Sequence, residues 1–122
     1  MSHKVLVVDD DTDLRDVLCE LLTSVGHTAL PARDGGEALA VLRSDPAAFC
    51  VVLLDLMMPG VDGWQFRREQ LADATIASIP VVVMTAGRTA ASSQIGAAAV
   101  LHKPVNIQTV IDAITPYCAA SP

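Results

Sequence analysis

Val51-Val52-Leu53-Leu54-Asp55-Leu56-Met57-Met58-Pro59-Gly60 is an apolar run that meets one carboxylate and then a turn. A run of this length, bounded by turn signals, reads as a strand buried on both faces of a sheet. Asp55 then stands at the carboxyl end of that strand. Open α/β sheets bind their ligands at that edge. An acid in this place suggests a nucleophile or a metal ligand.

Other apolar runs end in the same way. Lys4-Val5-Leu6-Val7-Val8 leads into Asp9-Asp10-Asp11. Pro80-Val81-Val82-Val83-Met84 leads into Thr85-Ala86, and Ala97-Ala98-Ala99-Val100-Leu101-His102 into Lys103-Pro104. The short run Thr28-Ala29-Leu30-Pro31-Ala32 completes five strands, and its Pro31 suggests an edge position. Carboxylates, a hydroxyl and an ammonium are thereby delivered to one rim.

Helical segments separate the strands. Leu14, Val17, Leu18, Leu21, Leu22 and Val25 recur at helical spacing after a capping Asp11 or Thr12, and Gly26 closes the segment. Asp34 can cap a helix over 35–43, and Asp45-Pro46 breaks it. Further helices are expected at 64–72 and 106–114. Residues 87–95 are small and polar, and the helix expected there is short or irregular. Strands alternating with about five helices predict a three-layer α/β domain with a parallel sheet and right-handed crossovers.

Composition agrees with one domain over 1–122. The chain is 52% hydrophobic but only 3% aromatic, so Val, Leu and Ala must build its core. That suits buried parallel strands covered by Ala-rich helices. A formal net charge of −6 argues against direct nucleic-acid binding. No apolar stretch is long enough for a membrane span. Met1-Ser2-His3-Lys4 runs straight into a strand, so no secretory leader is expected and the location is read as cytoplasmic. In that setting Cys19, Cys50 and Cys118 are expected to be buried reduced thiols. No metal-ligand spacing joins them to His3, His27 or His102.

With these strand ends in place, the chain resembles a response-regulator receiver domain of two-component signalling, of the single-domain type, over nearly its whole length. The resemblance rests on Asp9-Asp10, Asp55, Met57-Met58-Pro59-Gly60, Asp62-Gly63, Thr85-Ala86 and Lys103-Pro104. It implies a flavodoxin-like fold with strand order 2-1-3-4-5. It implies that Asp55 takes a phosphoryl group from the phosphohistidine of a sensor histidine kinase or histidine phosphotransfer protein. Asp9, Asp10 and Asp55 would hold Mg²⁺ together with the Met57 carbonyl, a hard oxygen set that suits this ion. Lys103 would contact a phosphoryl oxygen, with the Lys103–Pro104 peptide cis. Thr85 would offer its hydroxyl and Ala86 its N–H. The signal would pass by contact with a downstream protein that the sequence does not name. Such a chain is a signalling switch rather than an enzyme, with weak self-phosphorylation and autodephosphorylation.

Duller roles are assigned to the neighbours. Asp11 caps a helix rather than binding metal. Asp62 belongs to a turn with Gly63, Trp64 packs at a helix start, and His102 is a surface polar group. Met57 and Met58 are loop packing residues, and Met57 borders the site.

Two features depart from the resemblance. Receivers of this kind carry an aromatic switch residue three positions before the lysine, where this chain has Val100. Residues 85–103 are also shorter than usual by about one helical turn of 3.6 residues. Together they imply a retained phosphorylation site with an atypical output face, while kinase docking at the first helix persists. The alternative is a receiver-like interaction module that does not switch. A haloacid-dehalogenase-like phosphatase would want an acid two residues after its nucleophile, where Met57 stands. A flavin carrier would need a phosphate-binding loop after the first strand, which is missing.

Overall fold

The computed structural model describes residues 4–56, 63–85 and 96–118. Five strands form one parallel sheet in the order β2-β1-β3-β4-β5. They are β1 (Lys4–Val8), β2 (Thr28–Ala32), β3 (Phe49–Asp55), β4 (Val81–Thr85) and β5 (Ala99–His102). The helices are α1 (Thr12–Ser24), α2 (Gly35–Ser44), α3 (Gly63–Ala72) and α4 (Ile107–Ile114), with a 3₁₀ turn at Pro46–Ala48. The fold class and strand order expected from the sequence are those observed. The short helix expected at 87–95 lies outside the described residues.

Local chemistry accounts for the boundaries. Asp11 caps α1, its carboxylate accepting from the Leu14 N–H at 3.2 Å. Asp34 caps α2 through Glu37 N–H at 2.8 Å, and Glu37 reaches back to Arg33 N–H at 3.1 Å. Asn106 caps α4 through Thr109 N–H at 2.9 Å. These side chains satisfy donors that a helix start leaves without partners. Gly26 ends α1 with φ of 97°, a left-handed conformation that suits glycine. Pro31 does sit on an edge strand.

Alternation along the strands splits the core in two. Leu6, Val8, Val52, Leu54, Val81 and Val83 join Ala38, Leu39 and Leu42 of α2 and Phe66 of α3. Val5, Val7, Val51, Leu53, Val82 and Met84 join Leu18 and Leu22 of α1 and Val110 and Ile114 of α4. Every residue of β3 and β4 is buried, so neither strand shows a polar side in its sequence. At about 25 cal/mol per Å² of apolar surface, this burial is the main force holding the three layers together.

The cysteines require a correction. Cys50 and Cys118 are joined in a disulfide across 68 residues, and Cys19 alone is free. Cys50 is the second residue of β3, and the chain after α4 returns to that end of the sheet, placing the two Cα atoms 5.5 Å apart. That separation suits a disulfide. Only the closed fold brings the pair together, which is why the spacing did not reveal it.

Candidate functional site

Two carboxylates are driven into the sheet edge by the apolar runs that carry them. Asp9 follows β1 and is fully buried, and Asp55 ends β3 at 3% exposure. Asp10 is exposed beside them. Asp9, Asp10 and Asp55 each offer an oxygen within 4.8 Å of the others. Buried charges need partners, and here Lys103 provides one. Its Nζ donates to Asp9 Oδ2 at 3.1 Å and lies 3.3 Å from Asp55 Oδ2.

The strand geometry holds Lys103 in place. Its N–H donates to Thr85 O at 2.8 Å, continuing the pairing of β4 with β5, and the Lys103–Pro104 peptide is cis. Burial pulls the ammonium pKa down. The hydrogen bond to Asp9 and the charges of Asp55 and Asp9 outweigh that effect, so the pKa lies above the usual lysine value. Thr85, 2% exposed, ends β4 beside them.

The surrounding backbone is also fixed. Asp11 N–H donates to Asp9 Oδ1 at 2.9 Å, so Asp9 is held from both oxygens. Arg15 Nη1 donates to Asp9 O at 3.1 Å. Arg15 is not among the residues singled out from the sequence, although a cation in the first turns of a helix that starts at the rim was a usable signal. Gly63 lets α3 begin directly on the end of β3. A Cβ there would lie 2.7 Å from Leu56 Cα and 2.8 Å from Asp55 O. Its N–H donates to Leu56 O at 3.3 Å.

Of the residues singled out from the sequence, Asp9, Asp10, Asp55, Thr85 and Lys103 come together at one rim. Asp11 caps α1 and is not in the three-carboxylate cluster. His102 is exposed, and Trp64 packs partly buried against the α2–α3 core. Met57, Met58, Asp62 and Ala86 lie outside the described residues.

The sequence pattern of the response regulator receiver domain matches residues 5–115. The chain belongs to that family. It is 33% identical over 115 residues to protein PilH of Pseudomonas aeruginosa, covering 91% of this chain and 93% of that one. It is 31% identical over 122 residues to sporulation initiation phosphotransferase F of Bacillus subtilis, covering 96% and 94%. The receiver fold matches that of Vibrio cholerae chemotaxis protein CheY4 with a TM-score of 0.86 at 28% identity, covering 96% of this chain and 99% of that one. Other relatives are longer, and the receiver spans about a third of their length. Receivers are phosphoryl-accepting switches of two-component signalling. Among the described residues, no helix is long and apolar enough to cross a membrane.

Proposed function

We propose that Asp55 is the phosphoryl acceptor of this receiver and that Asp9, Asp10 and Asp55 hold Mg²⁺. The observation that carries the reading is Lys103, whose single ammonium bridges Asp9 and Asp55 at 3.1 and 3.3 Å. Among the described residues, three carboxylates face the Lys103 ammonium and the Arg15 guanidinium, which leaves an excess of negative charge at the rim. The donor set is all oxygen, the preference of Mg²⁺. Bound there, the ion would neutralise charge on the incoming phosphoryl oxygens.

The donor is the phosphohistidine of a sensor kinase or phosphotransfer protein. An Asp55 oxygen attacks phosphorus, the P–N bond breaks, and its electron pair leaves with the imidazole. Lys103 shifts from bridging two carboxylates to contacting a phosphoryl oxygen as a mobile point charge. Thr85 donates its hydroxyl to the same group, and the Ala86 N–H and Met57 carbonyl complete the set. Positioning and charge carry most of such a transfer. The receiver is proposed as one cytoplasmic domain over 1–122 that signals by protein contact, through an atypical output face. It binds neither nucleic acid nor membrane, and its own phosphorylation and dephosphorylation are weak.

A second reading, a receiver-like module that does not switch, draws on Val100. It is part-buried and packed against the α2–α3 core, where a swinging aromatic would stand. Intact mass after incubation with acetyl phosphate and Mg²⁺ separates the two. The wild type is expected to gain one phosphoryl group. Asp55→Asn and chelator-treated protein are expected to gain none. Failure of the wild type to gain mass with any donor would reject the acceptor reading.

A further inference from the structure

The Cys50–Cys118 pair lies at the opposite end of the sheet from Asp55, since Cys50 is the second residue of β3 and Asp55 its last. Both sulfurs belong to buried residues, Cys50 at 5% and Cys118 at 2% exposure. Burial of this degree normally makes a disulfide inert. Here a cleft of about 500 Å³ opens beside it, lined by Phe49, Cys50, Thr75, Ser78, Pro80 and Tyr117 among others. Its volume falls within the roughly 300–1,000 Å³ typical of small-ligand sites. Cys50 contributes to the lining and Cys118 does not.

We propose that Cys50–Cys118 is a reversible thiol–disulfide site, entered through this cleft by a low-molecular-weight thiol such as glutathione, with Cys50 as the sulfur attacked. The thiolate bonds to Cys50 Sγ. The Cys50–Cys118 bond breaks, and its electron pair leaves on Cys118 Sγ, which takes a proton from water. A second thiolate attacks the glutathione sulfur of the mixed disulfide. Its product is glutathione disulfide, and Cys50 leaves as a thiolate that is then protonated. The balance is one protein disulfide and two thiols converted to two protein thiols and one small disulfide.

The reduced state has a prepared partner. Cys50 Sγ lies 3.3 Å from Lys4 O, so the new thiol has an acceptor in place. The released end is also defined. The N–H groups of Tyr117 and Cys118 both donate to Ile114 O at 2.9 Å. Without the disulfide, these bonds and the burial of Val110 and Ile114 hold the end of α4. Reduction therefore acts on the α4 end of the receiver and not on α2 or α3. This reversible exchange also reconciles a cystine with a thiol-rich compartment.

Cys19 serves as an internal control. It is only part-buried, and burial and the Asp16 charge push its thiol pKa up, away from the reactive thiolate. The test treats the oxidised native protein with reduced glutathione, quenches samples with N-ethylmaleimide, and maps adducts by mass spectrometry. A transient glutathione adduct on Cys50 is expected first, followed by maleimide on both Cys50 and Cys118. Hydrogen exchange is expected to rise over 107–118 on reduction. With oxidised glutathione, Cys118→Ser is expected to gain one adduct at Cys50, and Cys50→Ser none at Cys118. A disulfide that opens only after denaturation would overturn the proposal. So would first attack at Cys118, or failure of the two thiols to pair under glutathione disulfide. None of these readouts depends on phosphorylation of Asp55.

Discussion

Lys103 Nζ stands 3.3 Å from Asp55 Oδ2, although the two residues are 48 positions apart and end different strands. The same ammonium also serves Asp9, so removing it leaves two buried carboxylates facing each other. Breaking a buried ion pair from one side costs about 3–5 kcal/mol. Lys103 keeps 20% side-chain exposure, so water offsets part of that, and Lys103→Met is expected to lose about 2–3 kcal/mol without a divalent ion. Mg²⁺ is expected to restore more stability to the variant than it adds to the wild type. Urea unfolding with and without Mg²⁺ measures both. Equal Mg²⁺ effects would count against a shared carboxylate site. The Lys103 pKa is raised, so its contribution is complete below the ordinary lysine value and is lost only as pH rises through the higher folded value.

Gly63 couples the Asp55 strand to α3 without an intervening side chain. A Cβ 2.7 Å from Leu56 Cα meets backbone, which cannot rotate away. Gly63→Ala must push α3 off the end of β3. Overpacking of this kind costs about 1–3 kcal/mol. Phosphorylation by acetyl phosphate is expected to slow as well, because Gly63 sits against Asp55 O and its N–H holds Leu56 O. Paired measurements of melting and phosphoryl uptake check this. An unaffected variant would mean that α3 and the Asp55 strand are not mechanically linked.

Much of this was legible in the sequence because burial leaves a plain record. An apolar run that stops on Asp55 or Lys103 reports a strand and its functional end together. The caps at Asp11 and Asp34 are short-range hydrogen bonds and were read from residue type, whereas Asn106 was read only as a helix start. The two faces of β3 were not legible, because both are buried and the sequence shows no alternation. The Cys50–Cys118 pairing depends on closure of the whole sheet. Gln70 went unnoticed, although it falls on the stripe of Gly63 and Phe66 at helical spacing and so was a polar group on a buried face.

Gln70 is fully buried and works as a staple. Its Nε2 donates to Ile76 O at 3.0 Å and Ile79 O at 2.9 Å, and its Oε1 accepts from Arg67 Nη1 at 2.8 Å. Arg67 Nη2 in turn donates to Gly96 O at 3.0 Å, so the network joins α3 to the approaches of both β4 and β5. Gln70→Leu keeps the volume but leaves two carbonyls without this donor. Each buried unsatisfied group costs about 1–3 kcal/mol, so a loss of about 2–4 kcal/mol is expected. Chemical denaturation gives the total, and hydrogen exchange over 73–80 shows where it falls. A loss below about 1 kcal/mol would mean that the carbonyls find other donors.

His27 gives the fold an acid-sensitive point away from the Asp9–Asp10–Asp55 cluster. Its backbone N–H donates to Leu22 O at 3.0 Å in the turn after α1. The residue is 5% exposed, and its Nδ1 has no hydrogen-bond partner among the described residues. Burial lowers its pKa below the ordinary 6.5. As pH falls, the unfolded chain therefore takes up the proton before the folded one does. The stability tied to neutral His27 is complete above 6.5 and is lost as pH drops from there through the folded value. His27→Leu keeps an apolar filler and removes the titration. Wild type and variant are then expected to differ in slope, with the wild-type urea midpoint falling more between pH 7.5 and 5.5, a span of about two units around the histidine range. Parallel slopes would show that the ring is hydrated in solution and that the acid sensitivity arises from the carboxylates common to both proteins.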